Sequence, residues 1–413
     1  MKKILLIPSQ SFPIPAVKGG AVETLLTQLI EENEKNKRVQ LFVVSKDDEE
    51  AKKFKFDYSK IFYFNKKSSS FGFFVICFFR KLIFNRLTKR IFKKVKYGFR
   101  ELNYFGYRCA KIAKKIKPDI VVSESYDHVH RLWPLVKLVG KDNFYYHLHY
   151  TKQEVLDVRK MMPNTIAISE FVLDNWEKDK TIGGRNVVLY NGIDLASFDC
   201  KLSLDDISLL RKSFSLNDSD FVVLFTGRLR PHKGVLELLR AFNNIESNDI
   251  KLILAGDFLS ESKEHNIDES EFENKCLEII SQNKNIIRTG NVDYKEINKL
   301  YFLSDIQIIP SMWEEGAGLV AIEGMASGLP LIITNSGGMP EYTGKECAII
   351  LERDKDLEKN IMSSILLLKN NPELCKKMSD IGKLRSKQFT KEVYYQKYID
   401  FLLESEEKQS EKH

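Results

Sequence analysis

Little in this chain would tie it together covalently. Six cysteines in 413 residues, at positions 77, 109, 200, 276, 347 and 375, form no C-x-x-C pair and no metal-ligand spacing. That excludes a disulfide scaffold and a zinc-cysteine fold, and a reducing cytoplasm is the expected compartment. Long apolar runs are also missing. The run 71–79 is nine residues, whereas a membrane-spanning helix needs roughly 20. Met1-Lys2-Lys3-Ile4 opens without the pattern of a signal peptide, which again leads us to expect a cytoplasmic protein. The sharpest scarcity is local: residues 60–100 hold no Asp or Glu against twelve Lys and Arg.

That local imbalance belongs to a wider one. The net charge of +7 divides into +16 over residues 1–190, from 36 basic and 20 acidic side chains, and −9 over the remainder, from 28 and 37. A basic half joined to an acidic half leads us to expect that the first half alone meets an anionic surface. Within the acid-free run, Phe84, Leu87, Ile91, Val95 and Phe99 recur at helical spacing, with Arg86, Lys89, Arg90, Lys93 and Lys94 mostly on the other side. The pattern suits an amphipathic helix lying on an anionic membrane; a core-facing helix with a solvated back is the plainer alternative. No RNA- or DNA-binding signature accompanies the charge, so nucleic acid is not an expected partner.

What is present is alternation. A length of 413 residues suits two domains of ordinary size. Short β-branched runs followed by amphipathic stretches predict strands near 3–8, 39–44, 61–64, 119–123, 144–149 and 166–169, and again near 221–226, 250–255, 285–288, 305–309 and 331–334. That is the pattern of parallel α/β sheets. Ser169 stands where it can cap a helix beginning at Glu170, and the turn-forming Asn191-Gly-Ile-Asp194 marks a boundary.

The most informative stretch, 309–341, reads IPSMWEEGAGLVAIEGMASGLPLIITNSGGMPE. A strand passes through a glycine-flanked carboxylate, Glu315, into a helix holding a second, Glu323. Gly316 and Gly318 sit where backbone N–H groups at a helix start can approach an anion. The same letters fit a loose dinucleotide pattern, but the next strand tip, Thr334-Asn335-Ser336, lacks the acidic residue which that reading requires. Upstream, Gly227-Arg-Leu-Arg-Pro-His-Lys-Gly234 gathers Arg228 and Lys233 on a glycine turn, a means of holding a diphosphate. Near the start, Gly19 and Gly20 open a helix carrying Glu23, which leaves room for a phosphate or an acceptor group. His147 and His149, two apart on a strand, share a face. Joining them to His128 and His130 yields no carboxylate or thiolate spacing of a known metal site, so no metal is expected.

These motifs together resemble the retaining glycosyltransferases of family 4: Glu315 and Glu323 with seven residues between them, Gly337-Gly338-x-Pro340-Glu341, Gly227-Arg228-Leu229 with Lys233-Gly234, and Gly19-Gly20-x-x-Glu23. Two positions depart from the pattern, with Ala317 where Phe is usual and Gly324 where Ala is usual. The resemblance implies an α/β fold of two facing Rossmann-like domains (GT-B), here 1–188 and 189–386, with a helix at 387–403 crossing back to the first domain and a disordered tail at 404–413. It implies transfer of a sugar, with retention and without a metal or other cofactor, from a nucleoside-diphosphate sugar to a glycan or lipid-linked acceptor in cell-surface polysaccharide biosynthesis, by a protein peripheral on the inner face of the plasma membrane. Arg228 and Lys233 would neutralise the diphosphate; Glu315, Gly316, Ala317, Gly318, Leu319 and Glu323 would line the donor site; His149 would stand beside the reacting sugar, with Glu315 as the second catalytic candidate. The alternative is a catalytically silent protein of the same fold that binds a glycan or protein partner.

Overall fold

The computed structural model describes residues 1–9, 11–64, 104–124, 132–199, 202–258 and 267–410. The expected membrane-facing residues Arg86, Lys89, Arg90, Lys93 and Lys94, as well as His128 and His130, lie outside the described residues. The chain divides into two compact units: residues 1–168, 172–189 and 394–413 form the first, and 169–171 with 190–393 the second.

The first unit is built on β1 (Lys3–Pro8), β2 (Gln40–Lys46), β3 (Ser59–Phe64), β4 (Ile120–Glu124), β5 (Phe144–Leu148), β6 (Asn164–Ala167) and β7 (Asn186–Val188). They pair in the order β3-β2-β1-β4-β5-β6-β7, all parallel. Both faces of such a sheet are covered, so its central strands are buried and mostly apolar. In β4 and β5 every residue is buried, including Glu124 and His147. The register places these two side by side. The helix Ala21–Asn36 covers one face because Leu25, Leu26, Leu29 and Ile30 recur at i, i+3 and i+4 and are all buried. Each such side chain contributes roughly 1.5–3 kcal/mol on burial.

The last helix, Lys391–Ser410, adds Tyr394, Tyr395, Tyr398 and Leu402 to the same core. Tyr395 donates to Asn33, which ties it to the helix Ala21–Asn36, and Asp400 pairs with Arg38 just beyond that helix. The helix runs beyond the end at 403 expected from the sequence. Glu404, Glu406, Glu407, Lys408 and Gln409 are good helix formers, so a polar tail here continues the helix instead of ending it.

The second unit repeats the plan with β8 (Phe221–Thr226), β9 (Ile250–Ala255), β10 (Ile286–Gly290), β11 (Ile306–Ile309), β12 (Leu331–Thr334) and β13 (Ala348–Leu351). Their parallel order is β10-β9-β8-β11-β12-β13. In each sheet the order reverses once, beside β1 and beside β8. In open α/β sheets ligands bind outside the carboxyl ends of the strands at such a reversal. Among the described residues no helix is long and apolar enough to cross a membrane.

Candidate functional site

In the second unit two loops converge at the reversal point. The chain leaves β8 through Gly227, at φ 138°, and makes a tight turn over Pro231–Lys233 before Gly234. A Cβ on Gly234 would stand 1.8 Å from the Pro310 carbonyl oxygen, so only glycine lets this loop press against the one leaving β11. The close approach brings Lys233 Nζ within 2.6 Å of Glu315 Oε1, to which Ser311 Oγ also donates at 2.6 Å. Trp313, half-exposed, stacks beside His232 with ring centres 4.7 Å apart. Arg228 is exposed at the start of the same loop.

Past Glu315 the half-buried Gly316 and Ala317 lead to Gly318, which starts the helix Leu319–Ala326. Ala317 and Leu319 pack against the apolar cluster beneath. Glu323 sits five residues into the helix, about 6–8 Å along its axis, and is buried. Its Oε2 accepts from the Tyr301 hydroxyl at 2.7 Å. Burial pushes the Glu323 carboxyl up to about 7, with the Tyr301 and Tyr294 hydroxyls holding it from going further. A buried carboxylate poised in this way is a hallmark of functional sites.

The Gly337-Gly338 pair has a backbone task. Gly337 adopts φ 52°, a Cβ there would lie 2.2 Å from the Glu315 carbonyl, and the Gly338 N–H donates to that carbonyl at 2.7 Å. These contacts hold the Glu315 backbone in place. Glu341 takes the N–H groups of Glu170 and Phe171 at 2.7 and 2.8 Å. Ser169, just ahead of the same helix, donates its hydroxyl to the Gly316 carbonyl at 2.8 Å, and Glu341, distant in sequence, supplies the acceptor for the first two N–H groups of the helix Glu170–Trp176.

In the first unit Gly19 and Gly20 adopt φ 75° and 99° ahead of the helix Ala21–Asn36. Glu23 is buried and folds its carboxylate back, so that a Cβ on Gly20 would meet Glu23 Oε2 at 2.3 Å. Burial pushes this carboxyl up. The helix start expected to receive a phosphate therefore already carries an acid; a hydroxyl-bearing acceptor fits it better than a second anion.

His149 follows directly after β5, its side chain only 3% exposed. Its Nε2 lies 2.7 Å from Glu124 Oε2, as does His147 Nδ1. Tyr398 on the last helix donates to the other oxygen, Glu124 Oε1, at 2.7 Å. Burial pushes the Glu124 carboxyl up, but His147 and His149 together hold it below the carboxylate range. Burial, then His147, pushes the His149 imidazole down to about 4 against the pull of Glu124. The carboxylate is thus ionised and His149 neutral at pH 7. The sequence reading found no acid to accompany the histidines. Glu124 was missed because its link to them is register across a parallel sheet, although an acid ending the strand before the histidine strand is a usable signal.

Two parallel-sheet α/β units with these orders, and a last helix starting in one unit and packing on the other's core, define the GT-B class of fold. The fold matches a solved glycosyltransferase from Rickettsia africae with TM-score 0.74 at 20% identity, covering 98% of both chains. It also matches Anabaena HepE in complex with UDP and glucose, with TM-score 0.70 at 19% identity, over 98% of this chain and all of that one. Residues 206–385 match the family model "Glycosyl transferases group 1". An uncharacterized glycosyltransferase of Methanocaldococcus jannaschii is 34% identical over 160 residues, 38% of each chain. A capsular polysaccharide biosynthesis glycosyltransferase of Staphylococcus aureus is 29% identical over 59% of this chain and 63% of that one. The chain therefore spans less than two thirds of the length of these two relatives.

Proposed function

We propose that the chain is a retaining glycosyltransferase of family 4 that moves a sugar from a nucleoside-diphosphate sugar to a glycan or lipid-linked acceptor. The single observation that carries the reading is the pairing of Lys233 with Glu315 at 2.6 Å on two loops locked together at the carboxyl end of β8 and β11. A cation and an acid held in this way suit a ligand that is anionic at one end and hydroxyl-rich at the other. On binding, Lys233 and Arg228 turn to the diphosphate, stabilising the charge that develops as the sugar departs. Glu315, released from Lys233, accepts from sugar hydroxyls, and Glu323 accepts from the ribose. No metal is assigned a role. His149, on the first unit, serves the transfer step.

Lines of support outside the site are the HepE complex with UDP and glucose and the capsular polysaccharide relative. The acid-free run 60–100 supports a cytoplasmic protein held on the inner membrane face, with a lipid-linked acceptor. Thermal shift against UDP, GDP and dTDP, followed by a sugar panel on the winning nucleotide, tests the donor assignment. A shift with one of the three is expected; none with any of them would sink it.

A further inference from the structure

Two hydrogen bonds and a second imidazole converge on one buried carboxylate at the carboxyl end of β4. His147 Nδ1 and His149 Nε2 both reach Glu124 Oε2 at 2.7 Å, and the Tyr398 hydroxyl reaches Oε1 at 2.7 Å. An ionised carboxylate only accepts, so the hydrogen bonds from His149 Nε2 and the Tyr398 hydroxyl each require a hydrogen on the partner. His149 must then carry its hydrogen on Nε2, which makes Nδ1 the lone-pair nitrogen. The two imidazoles lie 4.0 Å apart, centre to centre, and His147 lies 5.8 Å from the Tyr398 ring, so the His149 ring is packed as well as bonded.

The same three residues, Glu124, His147 and His149, are of a type that binds metals. Their spacing argues against it. Bonds of 2.0–2.2 Å to a tetrahedral zinc would hold neighbouring ligand atoms about 3.3 Å apart, whereas both nitrogens stand at 2.7 Å from one oxygen, and for His149 Nε2 that contact is a hydrogen bond.

We propose that Glu124, held by Tyr398 of the last helix, is a positioning residue that fixes the tautomer and ring orientation of His149 for the transfer step. This rests on the reading of His149 given above. The chain's last helix is thereby coupled to the chemistry through one hydroxyl, Tyr398 to Glu124 to His149, without touching substrate. Neither Glu124 nor Tyr398 belongs to the donor site, so nucleotide affinity is independent of both.

The experiment compares full-length parent, H149A, E124A, E124Q and Y398F by kcat, KM for donor, nucleotide affinity and thermal midpoint, with 15N-histidine NMR on parent and E124Q. Misplacing a reacting group by about 1 Å costs on the order of 100-fold. E124A should therefore lose kcat on that scale with nucleotide affinity unchanged. E124Q keeps one accepting oxygen and should recover part of the loss, and Y398F should lose less than E124A. The His149 signals, assigned by their disappearance in H149A, should report hydrogen on Nε2 in the parent. If H149A loses turnover while E124A keeps it, the positioning role is overturned and the reading of His149 stands. If H149A keeps full turnover, that reading fails and the positioning role with it. A His149 signal with hydrogen on Nδ1, or one zinc per chain in protein purified without chelator, overturns the proposal directly.

Discussion

Glu323, in the second unit, is a carboxyl held well above its ordinary range. Burial is the cause, and its folded pKa of about 7 lies above the ordinary 4.5 of a carboxyl. Between those values the folded state keeps a proton that the unfolded chain releases, so this group's contribution is full below pH 4.5 and lost as pH rises to 7. Its size is on the order of 1–3 kcal/mol. Glu323→Gln should flatten that part of the stability profile, measured by urea unfolding at pH 5, 6 and 7; an unchanged slope would refute the shift. The ionised form accepts from ribose hydroxyls through both oxygens and more strongly than the protonated acid, so nucleotide affinity should rise with pH through 7 in the parent and be flat in the variant. Arg228→Ala should weaken nucleotide binding by about ten- to a hundredfold, the effect of roughly 1.5–3 kcal/mol for one charge-assisted bond. Calorimetry showing parent affinity in that variant would remove Arg228 from the donor site.

At the scale of elements, the helix Leu319–Ala326 and β11 explain a departure from the family pattern. Where Ala is usual the chain has Gly324, and a Cβ there would stand 2.0 Å from Gln307 Oε1 and 2.9 Å from Leu331. Gln307, fully buried on β11, needs the space because its amide donates to Thr226 Oγ1 at 3.1 Å. The glycine and the glutamine are thus one packing solution. Alanine in a helix interior gains about 1 kcal/mol over glycine by propensity, while overpacking costs about 1–3. Gly324→Ala should therefore be net destabilising by up to about 2 kcal/mol, and adding Gln307→Ala should recover part of it. Denaturant midpoints for the two single variants and the double variant read the coupling; additive effects would show that the two positions are independent.

For the whole molecule the question is what the charge division serves. With +16 on residues 1–190 and −9 on the rest, attraction to an anionic leaflet, about 1 kcal/mol per Lys or Arg near the surface, falls on one half of the chain. Sedimentation with anionic vesicles should exceed that with zwitterionic ones and should fall when Arg86, Lys89, Arg90, Lys93 and Lys94 are changed to Gln. Equal sedimentation in all cases would leave the stripe as core packing. Slow hydrolysis of donor sugar without acceptor should be measurable, and its loss in His149→Ala with nucleotide binding intact separates an enzyme from a silent binder. A rate abolished by EDTA and restored by magnesium or manganese would instead assign the diphosphate to a metal.

The sequence by itself determined the alternation of strands and helices, because a period of two or of 3.6 is written residue by residue. It determined the local course of the stretch 309–326 for the same reason: Glu315, Gly318 and Glu323 lie within one strand, loop and helix, where short-range geometry decides who faces whom. Tertiary structure decided whatever depends on neighbours far apart in the chain. That Lys233 holds Glu315 follows from a glycine pressed against Pro310; that Glu341 takes the first two N–H groups of a distant helix follows from packing. The histidine cluster is the clearest case. Glu124, His147, His149 and Tyr398 come from two strands and the last helix. The spacing of the two histidines shows only that they share a face; that Glu124 and Tyr398 join them is decided by register between parallel strands and the docking of a helix, which are set by the whole core, not by any local run of residues.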